Sequence, residues 1–188
     1  MVVLHRLTPS SDGAPAAVLL PGRGYTAQAP LLHWTGVILA QNGWDVYAAE
    51  WALGDAADDP ADFVAREWGE IISALPCAPD LVVAKSLGTF AASHAVAAGI
   101  PGVWLTPLVG HDVVATALRA ASATHLIVAG TTDATWWPDR ISETAAAVME
   151  IAGADHGLQS DGDWEESYAV QRRVFARIAA HAAALARR

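Results

Sequence analysis

At 188 residues the chain falls in the range of one domain with a substantial core, and its formal net charge of −9 argues against a nucleic-acid partner. Although 53% of the residues are hydrophobic, no apolar run approaches the roughly 18 residues that span a bilayer, so no membrane segment is expected. The single cysteine, Cys77, excludes an internal disulfide and a cysteine-built metal site, and a start with no basic segment leading into an apolar one points to cytoplasmic residence.

Strand-like and helix-like segments alternate along the chain. Residues 2–7 alternate as an edge strand, Ser10, Ser11, Asp12 and Gly13 mark a turn, and the apolar run 16–20 predicts a second strand ending at Pro21-Gly22-Arg23-Gly24. Within 28–41, Leu31, Leu32, Trp34, Ile38 and Leu39 stand close to helical spacing, and Asn42-Gly43 supplies a stop. A strand follows around 46–49. Asp58-Asp59-Pro60 then opens a helix with acids and a proline in its first turn, and Phe63, Trp68, Ile71, Ile72 and Leu75 carry it to Pro76. The run 81–83 predicts a central strand, and the alanine-rich residues 91–98 a helix broken by Gly99-Ile100-Pro101-Gly102. Strands at 103–105, 126–129 and 148–151 then alternate with helices at 112–121, 142–147 and 164–186. Continuous apolar strands separated by helices imply a single α/β domain over 1–188, a three-layer sandwich around a mostly parallel, doubly wound sheet with an antiparallel first edge. In such a sheet the functional loops leave the carboxyl ends of the strands.

Ala84-Lys85-Ser86-Leu87-Gly88 follows the central strand. Small residues two before and two after a serine let the chain reverse from strand to helix so tightly that the serine Oγ is thrown into the open; the alternative is a serine that simply caps a helix. A serine hydroxyl needs a base. Of seven histidines, His5, His33, His94, His125 and His181 lie within predicted strands or helices and read as structural. His111 is a minor candidate, and His156 is the best placed, flanked by glycine in the loop after the last strand. Its acid partner is Asp133, after the next-to-last strand, with Asp112 the runner-up and Asp155 badly aimed because it adjoins the histidine. The glycines of Pro21-Gly22-Arg23-Gly24-Tyr25 let the backbone turn N–H groups toward an oxyanion; the donors would be the amides of Arg23 and Leu87, with Gly24 as second choice.

These pieces together resemble the α/β-hydrolase superfamily over nearly the whole chain, and the short insertions are similar to its small, lidless members, the dienelactone-hydrolase-like and short carboxylesterase or thioesterase branches. The resemblance implies a hydrolase fold without a cap domain and a serine hydrolase acting on an ester or thioester through an acyl-enzyme. It departs from the G-x-S-x-G pattern at Ala84, and it has serine where dienelactone hydrolases proper have cysteine. The alternative is a binding or partner module on the same fold; a nucleotide site would rest on Gly22 and Gly24 alone.

Only 106–111 separates one strand from the next helix, which leaves no room for a cap and implies an open, shallow site for a small-molecule ester or thioester. Gly24, Tyr25, Trp51 and one of Trp136 and Trp137 are placed to wall it, whereas Trp34, Trp44, Trp68 and Trp104 read as packing or cover. Lys85 would pair with an acid such as Glu50 or Asp112, or meet a polar group of the substrate. No cofactor is implied, no two histidines share ligand spacing with a carboxylate, and a monomer or homodimer is expected.

Overall fold

A computed structural model describes residues 2–8, 13–52 and 59–187. Its seven strands are β1 Val2–Arg6, β2 Ala16–Leu20, β3 Asp45–Trp51, β4 Leu81–Lys85, β5 Gly102–Leu105, β6 His125–Gly130 and β7 Ala147–Ile151. They form one sheet in the order β1-β3-β2-β4-β5-β6-β7. β1 runs antiparallel to β3, and every other pairing is parallel. Among the described residues five α-helices cover the sheet: α1 Pro30–Gln41, α2 Pro60–Ala74, α3 Ala92–Ala97, α4 Asp112–Arg119 and α5 Trp164–Leu185.

The two-residue period of the strands sorts the core into two layers. On one face Val18, Leu20, Val82, Ala84, Trp104 and Ile127 pack against Phe63 and Ile71 of α2 and Val114 and Leu118 of α4. On the other, Leu19, Leu81, Val83, Leu105 and Val128 meet Leu31, Leu32 and Leu39 of α1 and Val170, Val174 and Ile178 of α5. Strands buried on both faces therefore read as unbroken apolar runs, β2 and β4 being buried at every residue. Asp59 caps α2 by accepting from the N–H groups of Ala61 and Asp62, with Pro60 in the first turn. Asp163 caps α5 in the same way, through Glu165 and Glu166.

Two expectations need correction. Residues 142–147 form no helix: the crossover from β6 to β7 runs through a 3₁₀ turn, Pro138–Ile141, after which Thr144 Oγ1 donates to the Leu118 carbonyl at 2.6 Å and Ala145 N–H to the Ala121 carbonyl at 3.2 Å. Bonds to α4 and to the second residue past its end thus take the place of bonds within a helical turn. The alanine-rich helix after Ser86 begins as a 3₁₀ segment, Ser86–Ala91, before α3. The turn expected at Ser10, Ser11 and Asp12, and Asp58 at the start of α2, lie outside the described residues. Among the described residues no helix is long and apolar enough to cross a membrane.

Candidate active site

Ser86 leaves β4 with φ of +51°, in the left-handed region that L-residues rarely occupy. The turn holds because the segment behind it has no room to relax. A Cβ on Gly88 would lie 2.7 Å from the Leu20 carbonyl oxygen and 2.9 Å from that of Pro21, so only glycine lets the 3₁₀ segment pass beneath β2. The result is a mostly buried serine at the carboxyl edge of the sheet.

His156 Nε2 stands 2.9 Å from Ser86 Oγ, and its Nδ1 stands 2.7 Å from Asp133 Oδ2. Three residues widely separated in sequence thus form one continuous hydrogen-bonded array. Two loops have to meet for this, and Gly130 is why they can: a Cβ there would fall 2.1 Å from the Ala154 carbonyl oxygen. That carbonyl accepts from both Thr132 N–H, at 3.0 Å, and Thr132 Oγ1, at 2.8 Å. Asp155 shapes the histidine loop, its Oδ1 accepting from Gly157 N–H at 2.7 Å and Gln159 N–H at 3.0 Å.

Asp133 is buried, and Thr135 gives its Oδ1 two further bonds, from N–H at 2.8 Å and Oγ1 at 2.7 Å. Burial alone would raise the Asp133 carboxyl, but the bonds from His156 and Thr135 outweigh it and hold the group below the usual range. Thr135 was not expected. Its signal is the spacing Asp133-x-Thr135, an aspartate accepting from the residue two positions on.

The loop after β2 is a tight turn in which Gly22 N–H donates to the Tyr25 carbonyl at 2.9 Å and Gly24 has φ of +64°. A Cβ on Gly22 would lie 3.2 Å from Ser86 Cβ, so this loop lies directly beside the serine. Arg23 is exposed in the turn, and Leu87 occupies the first turn of the 3₁₀ segment, where N–H groups lack intrahelical partners. Tyr25 Oη accepts from Leu31 N–H at 2.8 Å, tying the loop to α1, and burial raises its phenol above the usual value.

Gly24, Tyr25 and Trp51 line one cleft, together with Gly22, Ala48, Ala49, Glu50 and His5. Neither Trp136 nor Trp137 does. Trp136 is buried, its Nε1 donating to Glu150 Oε1 at 2.7 Å, and Trp137 is exposed with its Nε1 on the Ala134 carbonyl at 3.2 Å. Each indole N–H is satisfied on the β6–β7 side of the sheet. Trp34 is exposed rather than packed. His111 sits before α4 with its ring 5.0 Å from Phe90, and Asp112 pairs with Arg140, so neither joins the array.

Lys85 pairs with neither Glu50 nor Asp112. Glu50 faces His5 at 2.8 Å, and Asp112 is taken by Arg140. The lysine is buried; its Nζ donates to the His156 carbonyl at 3.0 Å and lies 4.9 Å from the centre of the Tyr25 ring. Burial lowers its ammonium to about 8 against the opposing pull of Asp133 and Asp155.

Comparison with known structures agrees with this architecture. The chain is similar to an α/β serine hydrolase homologue from Coxiella burnetii, with a TM-score of 0.67, 14% identity, and coverage of 95% of this chain and 89% of that one. It is also similar to XC6422 from Xanthomonas campestris, an α/β serine hydrolase without a lid, with a TM-score of 0.65, 15% identity and coverage of 96% and 86%. A dienelactone hydrolase from Anabaena variabilis superposes with a TM-score of 0.66 at 16% identity, over 93% and 89% of the two chains. No protein-family model matches the sequence, and no curated protein does.

Proposed function

We propose that this chain, which has the α/β-hydrolase fold, is a serine hydrolase that cleaves a carboxylic ester or thioester through an acyl-enzyme. The observation that carries the reading is the unbroken array from Ser86 Oγ through the His156 ring to Asp133, at 2.9 and 2.7 Å. In this reading Ser86 Oγ attacks the substrate carbonyl carbon while His156 Nε2 takes the hydroxyl proton. Asp133 keeps the other ring proton on Nδ1 and stabilises the imidazolium. The negative charge that collects on the carbonyl oxygen is met by the Arg23 and Leu87 amides. Collapse of the tetrahedral intermediate breaks the ester C–O or thioester C–S bond, and His156 returns the proton to the leaving alcohol or thiol. Water, deprotonated by the same histidine, then releases the acid and restores Ser86. Neither Ser86 nor His156 lines the cleft between Tyr25 and Trp51, but Gly22 belongs both to that cleft and to the contact with Ser86, and in this reading the cleft takes a short acyl group or one end of a larger substrate.

Incubation with a fluorophosphonate probe and with p-nitrophenyl acetate tests the reading. The parent should label at Ser86 and turn the ester over, and Ser86→Ala should lose the label and at least about 10³-fold in rate. A parent that resists labelling where a control hydrolase labels fully would leave the alternative, a binding module on a hydrolase fold.

A further inference from the structure

We propose that Lys85 is a positioning residue for His156, pinning the main chain of that residue so that its imidazole stays over Ser86. The inference rests on the serine-hydrolase reading and adds a residue to its machinery. Lys85 ends β4 with its side chain on the face covered by α1 and α5, and it runs past Gly22, whose Cβ would meet Lys85 Cδ at 3.4 Å. Its ammonium reaches the His156 carbonyl at 3.0 Å and the Tyr25 ring at 4.9 Å. The lysine thus links the loop after β2 to the loop after β7.

Burying an ammonium is costly unless its protons are used. A lysine 3% exposed that forms no close ion pair among the described residues, and spends its charge on one carbonyl and one ring, is doing something other than solvation. The choice of carbonyl matters. Fixing the His156 oxygen fixes the peptide from which the imidazole hangs, whereas the Asp155 bonds shape the loop internally without tying it to β4. Two adjacent residues therefore hold His156 at both ends: Ser86 at the ring and Lys85 at the main chain.

A charged donor bonds a carbonyl more strongly than a neutral amine, and only the charged form is drawn to the ring. The pin is therefore tight while Lys85 is protonated and loosens as pH rises through about 8. The groups around it are Tyr25, whose phenol is raised; Asp133, held ionised; and Asp155, which acts as a further negative charge.

Measuring kcat and KM from pH 6 to 10 with p-nitrophenyl acetate, background-corrected, tests this in the parent, Lys85→Met and Lys85→Arg. The parent should lose roughly fivefold in kcat through an alkaline limb near pH 8. Lys85→Met should lose roughly tenfold in kcat at pH 7 with KM nearly unchanged and should lack that limb. Lys85→Arg, which keeps the charge and the donors, should recover part of kcat and hold it to higher pH. Parental kcat in Lys85→Met, or a limb near pH 8 that survives the substitution, overturns the proposal. If Lys85→Met does not fold, Lys85→Gln takes its place in the same comparison; if neither folds, Lys85 is a core residue and the proposal fails. Fluorophosphonate labelling of the parent separates the two levels. An unlabelled parent sinks the hydrolase reading itself, whereas a labelled parent with an unaltered Lys85→Met sinks only the pin.

Discussion

The two oxygens of Asp133 have divided partners, and the division sets the tautomer of the histidine. Oδ2 receives His156 Nδ1–H, which leaves Nε2 free to accept from the Ser86 hydroxyl, and Oδ1 is held by Thr135 through N–H and Oγ1. Thr135 Oγ1 also lies 3.3 Å from His156 Nδ1, beside the main bond. With its proton given to Asp133, that hydroxyl turns a lone pair toward the ring, so it both steadies the carboxylate and completes the setting of the imidazole. Thr135→Val keeps the shape and the main-chain bond but deletes the oxygen. A hydrogen bond to a charged group is worth about 1.5–3 kcal/mol, of which a compensating rotation of Asp133 recovers part. Steady-state kinetics on Thr135→Val should show kcat reduced roughly tenfold with KM little changed, and Thr135→Ser should restore most of it.

At the scale of the elements, glycine separates positions that build the site from positions that merely tolerate it. Gly88 is required by the backbone of β2 and the loop after it, which a Cβ would strike at 2.7 and 2.9 Å. Gly69, inside α2, has nothing within 4 Å of such a Cβ, and its only mark on the helix is the conformational freedom of a residue without a side chain. Thermal unfolding should set them apart: Gly69→Ala stabilises by about 0.5–1 kcal/mol, whereas Gly88→Ala destabilises by about 2 kcal/mol and also lowers activity by pushing the loop of Gly22 off Ser86. The same contrast explains what the sequence made legible. β2, β4 and β6 could be read because strands buried on both faces have no choice but continuous apolar residues. The order of Ser86, Asp133 and His156 could be read because each follows a strand: Ser86 and Asp133 leave the fully buried β4 and β6, and His156 leaves β7, which is exposed at alternate residues. Residues 142–147 could not, since alanine and threonine fit a helix or a turn equally and the bonds that decide, to the carbonyls of Leu118 and Ala121, come from another element. What Lys85 and Trp136 reach could not be read for a related reason. A sequence states that a side chain is polar, but which carbonyl or carboxylate it reaches depends on how loops pack, and only the assembled sheet shows Lys85 on His156 and Trp136 on Glu150.

Across the whole molecule, the mostly parallel sheet puts the reactive array at one rim and a pair of histidines, His125 and His181, at the other. His125 opens β6 at its amino end, some five strand residues, or roughly 17 Å, from the loop that carries Asp133. Trp104 folds back over Gly102, where a Cβ would lie 2.3 Å from its ring, and donates its indole N–H to His125 Nδ1 at 3.2 Å. Because indole nitrogen only donates, that bond requires His125 Nδ1 to be bare. His181 of α5 bonds the Thr124 carbonyl next door at 3.1 Å. Burial, and then the proximity of His181, lower His125 from 6.5 to about 4. The unfolded chain therefore binds a proton that the folded chain refuses between those values. Since unfolding takes up protons there, stability falls as pH drops from about 6.5 toward 4, by about 2–3 kcal/mol at pH 4.5. Urea unfolding at pH 7 and pH 4.5 measures the loss, and His125→Gln, which can still accept from Trp104 and does not titrate, should shrink the difference between the two pH values by that amount. The sheet lies between this residue and the Ser86 rim, so at pH 7 the substitution should leave kcat/KM for p-nitrophenyl acetate within about twofold of the parent. A pH dependence of stability that survives His125→Gln unchanged would place the acid sensitivity elsewhere in the fold.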